Sequence, residues 1–121
     1  MKRLVVLVII VLASATPSVA WSSSVTVKLY ATVATGPAIT FKAKTAIGDV
    51  PVTRLQAGRY TVVVRDTSKR DNFHLFGPGL DKRTSRSFVG RQQWVLVLRK
   101  GTYTFRSDAH PLTTKRTFRV L

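Results

Sequence analysis

From Val25 the chain alternates: Val25, Val27, Leu29, Ala31 and Val33 are apolar, and Thr26, Lys28, Tyr30 and Thr32 separate them. A period of two puts one set of side chains on each face, which predicts a half-buried β-strand. Thr35-Gly36-Pro37 punctuates it, and Ile39, Phe41 and Ala43, alternating with Thr40, Lys42 and Lys44, predict a second strand. Gly48-Asp49 and Pro51 break the pattern before a short strand over Val52–Leu55. After the turn Gln56-Ala57-Gly58, Arg59–Asp66 predicts a strand with Tyr60, Val62 and Val64 on one face. Asn72–Phe76 is a short strand closed by Gly77-Pro78-Gly79. Asp81–Ser87 reads as a polar loop and Phe88-Val89 as a strand fragment. Gln93–Leu98, Gly101–Phe105 and Thr117–Val120 complete the set, with Lys100-Gly101 as a turn. No stretch after residue 20 carries a capped helical period, and there is no internal repeat. Short strands at this spacing predict an all-β sandwich or barrel. Phe41, Tyr60, Phe73, Trp94, Tyr103, Phe105 and Phe118 fall on alternating strand positions, which assigns them to its core.

The first residues follow another rule. Met1-Lys2-Arg3 is a basic start, Leu4–Ala13 an unbroken apolar run, and Ser14–Ala20 a stretch of small residues with one proline. That order predicts a secretory signal peptide over 1–20, cleaved after Ala20. The apolar run falls short of the roughly 20 residues that span a bilayer. Residues 21–121 are then a single domain without a transmembrane span, secreted or held in the periplasm or cell envelope.

Composition sharpens this picture. The chain has no cysteine, and its only methionine is Met1, so the mature domain contains no sulfur. Removing Lys2 and Arg3 takes the net charge from +15 to +13, against five aspartates and no glutamate. Such a balance favours an acidic protein or cell-envelope polymer as partner, or simply makes solvated outer sheet faces. Nucleic acid is a poor candidate, because no aromatic and basic groove of the strand-binding kind is clustered in the sequence.

Ala57-Gly58-Arg59-Tyr60-Thr61, then Asn72-Phe73-His74, then Gly101-Thr102-Tyr103, and finally a histidine loop before the last strand make an ordered set from Gln56 onward. In that order the sequence resembles the cupredoxins, the small blue-copper proteins of plastocyanin and azurin type. The resemblance implies a Greek-key β-sandwich of seven to eight mostly antiparallel strands, with electron transfer through copper as the family role. Cupredoxins hold the metal with two imidazoles, a thiolate and a weak thioether. Carried over by position, His74 and His110 match the two imidazoles. The thiolate position falls on Ser107 and the thioether position near Thr114, so both sulfur ligands are vacated. A serine hydroxyl does not replace a thiolate on copper, which argues against a blue, fast electron-transfer site.

Two imidazoles with a carboxylate suit Cu(II) in a tetragonal arrangement. Asp108 is the candidate carboxylate and Asp71 is expected near His74; zinc would use the same histidines more loosely. Asn72 is a candidate to fasten the histidine loop, or simply a strand-end residue. Ser107, Asp108 and His110 lie in one turn without an elbow or oxyanion motif, so they do not predict a hydrolase, and no other catalytic motif is present. Two readings therefore stand: a copper protein using His74 and His110 at a degraded site, or a metal-free module that uses its basic surface.

Overall fold

The computed structural model describes residues 27–121; the expected signal peptide and the first residues of the first strand lie outside the described residues. Ten strands follow in order: β1 (Val27–Ala34), β2 (Ala38–Thr45), β3 (Gly48–Pro51), β4 (Arg54–Leu55), β5 (Gly58–Asp66), β6 (His74–Gly77), β7 (Leu80–Arg83), β8 (Gly90–Leu98), β9 (Gly101–Arg106) and β10 (Arg116–Val120). They form two five-stranded sheets, ordered β4-β10-β9-β6-β7 and β3-β2-β1-β5-β8. Pairing is antiparallel except for β1 with β5 and β4 with β10, which are parallel and mark the crossovers. The expected all-β sandwich is present, with more strands than the seven or eight anticipated.

The surplus comes from two edges. β3 occupies the Gly48–Pro51 stretch that reads as a break, and β7 occupies part of Asp81–Ser87, which reads as a loop. Both are four-residue strands paired on one side only. A proline is tolerated at such an edge because its missing N–H leaves no ladder bond unmade. β6 and β7 form a hairpin whose two loop residues are Pro78 and Gly79, with Gly79 in the left-handed region at φ +68°. Phe88-Val89, expected as a strand fragment, is irregular backbone, and pairing resumes at Gly90.

The inward faces meet in one core. Leu29, Ala31 and Val33 of β1, Phe41 of β2, Val62 and Val64 of β5, and Trp94, Leu96 and Leu98 of β8 come from one sheet. Leu75, Tyr103, Phe105 and Phe118 come from the other, and Phe73 joins them from the segment before β6. Phe41 sits at the centre, 5.3 Å from the rings of Phe73 and Phe105 and 5.6 Å from Phe118. These tilted geometries are the ones aromatic quadrupoles favour. Tyr103 stacks on Phe118 at 5.5 Å. Its hydroxyl reaches out of the core, accepting from Arg99 N–H and lying 3.0 and 3.2 Å from the carbonyl oxygens of Arg99 and Pro78. That clamp ties the β8–β9 turn to the β6–β7 turn.

The same pairing assembles the opposite end. β9 runs antiparallel to β6 with Arg106 opposite His74. Residues 107–110, which follow β9, therefore emerge beside Asn72–His74, where the connection from β5 enters β6.

Candidate metal centre

His74 lies at the first position of β6 and is almost wholly buried. Its Nδ1 is 2.7 Å from Asp108 Oδ1, and its Nε2 is 2.6 Å from Asp81 Oδ1. The register explains both contacts. Asp81 is opposite Phe76 on β7, and Arg106 is opposite His74 on β9, so each carboxylate sits two residues along from a cross-strand partner. Diagonal neighbours of that kind lie within reach of side chains on one face. A carboxylate oxygen therefore faces each ring nitrogen of His74.

Asp108 is fixed from several directions. Its Oδ2 accepts from Asn72 Nδ2 at 3.0 Å, and its own N–H donates to Asn72 Oδ1 at 2.7 Å. Arg106 Nε and Arg83 Nη1 approach it at 3.3 and 3.4 Å. Asn72 Nδ2 also donates to Thr84 O, so one buried amide joins three segments of chain. Asn72 thus fastens the histidine loop. Burial pushes the Asp108 carboxyl upward, but hydrogen bonds from Asn72, His74 and Arg106, with the His74 charge, outweigh it and hold the group at about 2.

His110, half-exposed, belongs to a second cluster. Its Nδ1 is 2.7 Å from Asp71 Oδ1, which also accepts from Ser107 Oγ at 2.8 Å; Ser68 Oγ reaches Asp71 Oδ2 at 3.2 Å. Asp71 is held below the usual carboxylate range: burial works upward, and hydrogen bonds from Ser107, His110 and Ser68 prevail. Asp71 was expected near His74; the structure pairs it with His110, because residues 67–71 arrive from β5 on the Ser107 side. Nothing in the spacing announced Asp81 as a partner of His74, since it fell in a stretch that reads as loop.

Ser107 and Thr114 are buried and hydrogen-bonded to neighbours. Ser107 Oγ donates to Asp71 and accepts from Ala109 N–H, and Ser107 N–H donates to Thr114 Oγ1 at 2.8 Å. Thr114 Oγ1 in turn donates to His110 O at 2.6 Å. In the Ser107–Asp71–His110 set the carboxylate lies between hydroxyl and imidazole. An activated serine needs the imidazole in the middle, so this order does not make a nucleophile.

Comparison with solved structures supports the architecture. Rusticyanin from Thiobacillus ferrooxidans superposes with a TM-score of 0.57 at 18% identity, covering 79% of this chain and 77% of that one. A methionine-to-glutamine mutant of rusticyanin gives 0.58 at 20% identity over 79% and 78%. Reduced rusticyanin gives 0.56 at 19% identity over 79% of each chain. The chain has a cupredoxin fold. No family model and no curated protein matches its sequence. Rusticyanin is described as a copper protein.

The side chains present here do not fit that metal. An imidazole ligates through a nitrogen lone pair. Both nitrogens of His74 are already engaged with carboxylates, and at His110 only Nε2 is without one, because Nδ1 is bonded to Asp71. Among the described residues no group of three or more histidine, cysteine, aspartate or glutamate side chains is arranged to hold a metal ion. The positions expected for sulfur carry hydroxyls already used in hydrogen bonds. In this cupredoxin fold, then, two aspartate–histidine clusters fill the place expected of a copper centre. No helix among the described residues is long and apolar enough to cross a membrane.

Proposed function

We propose that this protein is an exported, metal-free binding module of cupredoxin fold that holds an acidic polymer or acidic protein through its basic surface. One observation carries the reading. Of the five aspartates, Asp71, Asp81 and Asp108 face histidines and Asp66 is buried at the end of β5, which leaves Asp49 alone as an exposed carboxylate outside these contacts. The described chain holds 18 lysines and arginines, 20 less Lys2 and Arg3, and only Arg83 and Arg106 approach a carboxylate. Sixteen cations, 18 less 2, therefore face solvent chemistry without an internal counter-charge. A surface of that kind raises the local concentration of polyanions and speeds their association. Export is supported by the sequence pattern of residues 1–20, which lie outside the described residues.

The test uses the protein with residues 21–121 and an acidic probe polymer, poly-glutamate or inorganic polyphosphate. Raising salt from about 0.1 M to about 1 M shrinks the Debye length from about 10 Å to about 3 Å. Saturable binding that collapses over that range is expected. Absence of binding at low salt overturns the reading. A Cu(II)-dependent rise in melting temperature lost in both His74→Ala and His110→Ala would reinstate the copper reading.

A further inference from the structure

We infer that the cleft beside His110 is a site for a phosphate-bearing polyanion, a deepening that rests on the basic-surface reading above. The cleft is shallow and open to solvent, with a volume of about 600 Å³. Lys69 and Arg70 line it from the β5–β6 connection, Ser85, Arg86 and Ser87 from the β7–β8 connection, and His110 from the turn after β9. No carboxylate lines it, and none of its three cations has a carboxylate partner among the described residues.

Each wall is anchored to buried structure. Ser68 Oγ accepts from the N–H groups of Arg70 and Asp71 and holds the first segment. Thr84 holds the second, accepting Phe73 N–H on its hydroxyl at 3.0 Å and donating its own N–H to Phe73 O. Asp71 holds the third by fixing His110 Nδ1, so that Nε2 is left without a partner among the described residues. Ser85 and Ser87 hydroxyls stand 3.1 Å apart on the rim. The backbone that carries the cations is therefore fixed, and only their exposed side chains have to be ordered when an anion binds.

The donor set selects the ligand. Two guanidiniums, an ammonium and two hydroxyls come from two separate segments, 69–70 and 85–87. A tetrahedral phosphate, with oxygens in several directions, accepts from such a set more completely than a planar carboxylate does. The cleft is open and its cations come from two segments, so a chain of linked phosphates, inorganic polyphosphate, is the expected occupant.

The experiment titrates the protein with inorganic polyphosphate, with single inorganic phosphate and with poly-glutamate at fixed ionic strength. Arg70→Gln/Arg86→Gln is compared with Arg59→Gln/Arg119→Gln. The second pair removes the same charge from exposed positions at the opposite end of the sandwich. The cleft pair should weaken polyphosphate binding at least about tenfold, and the distant pair by no more than about threefold. Tighter binding of polyphosphate than of poly-glutamate of equal charge is also expected. Single phosphate should bind measurably and compete. Equal losses in the two pairs overturn the cleft and leave the general basic surface standing. A preference for poly-glutamate also overturns the cleft. Failure to bind any polyanion overturns both readings.

Discussion

Asp108 should make the stability of this protein acid-sensitive in a defined window. Its carboxyl is lowered from an ordinary 3.8 to about 2, and it is only 16% exposed, so solvent screening removes little of the effect. A difference of that size corresponds to about 2 kcal/mol at 1.36 kcal/mol per pH unit. The direction follows from proton linkage: a carboxyl that ionises more readily when folded stabilises the fold above its unfolded value. That contribution is complete above about pH 4 to 5 and is lost as pH falls through about 2. Asp71 adds to the same trend, while Asp66 opposes it. The Asp66 carboxyl is raised by burial, against one hydrogen bond from Ser68 N–H and with help from the Asp71 charge. The useful quantity is therefore the difference between wild type and Asp108→Asn, which cancels both. Urea denaturation at closely spaced values between pH 6 and pH 2 should show wild type more stable at the upper end, with the gap narrowing by about 2 kcal/mol toward the lower. A gap that stays constant across the window would refute the account, because Asp108 would then act through packing and neutral hydrogen bonds alone.

Gly77→Ala should destabilise the sandwich by about 1–3 kcal/mol, read by urea denaturation, because a Cβ there would lie 2.3 Å from Cδ2 of the buried Tyr103 ring. Tyr103→Phe should cost about 1 kcal/mol by the same assay, since the hydroxyl bridges the Arg99 and Pro78 turns. An unchanged midpoint in that variant would mean that water replaces the bridge. Phe73→Ala should cost about 3–5 kcal/mol, as its fully buried ring contacts Phe41, Trp94 and Phe105.

The parts of the fold legible in the sequence are those with one wet face and one dry face. β1 from Leu29 and β9 from Thr102 alternate in burial, and the alternation in sequence mirrors it; β8 alternates in burial too, although its outward Val95 and Val97 are apolar. β5 shows the limit: Tyr60, Val62 and Val64 are inward as the pattern predicts, but Thr61 and Val63 are buried too, on a strand flanked by β1 and β8. β3 and β7 carry no usable signal because both are edge strands that expose almost every residue. A period of two needs a buried face to impress itself on sequence, and these strands lack one. The resemblance in the ordered motifs from Gln56 onward supplied the architecture that periodicity alone left open between sandwich and barrel.

The site was legible in its membership and illegible in its wiring. His74, His110, Ser107, Asp108, Asn72 and Thr114 do gather at one end, but most of the contacts that set their chemistry join residues 34 to 39 positions apart, with His74–Asp81 the exception at 7. Which aspartate meets which histidine depends on the β6–β9 register and on the hairpin that carries Asp81, and sequence spacing encodes neither. This wiring also connects the interior to the surface. Aspartates turned inward to hold two histidines cannot neutralise cations outside, in a chain that has only five acidic residues to distribute. Closing this end with carboxylates therefore has an electrostatic consequence over the whole molecule. Acid sensitivity at Asp71 and Asp108 and excess positive charge at the surface follow from the same placement of carboxylates against the histidines.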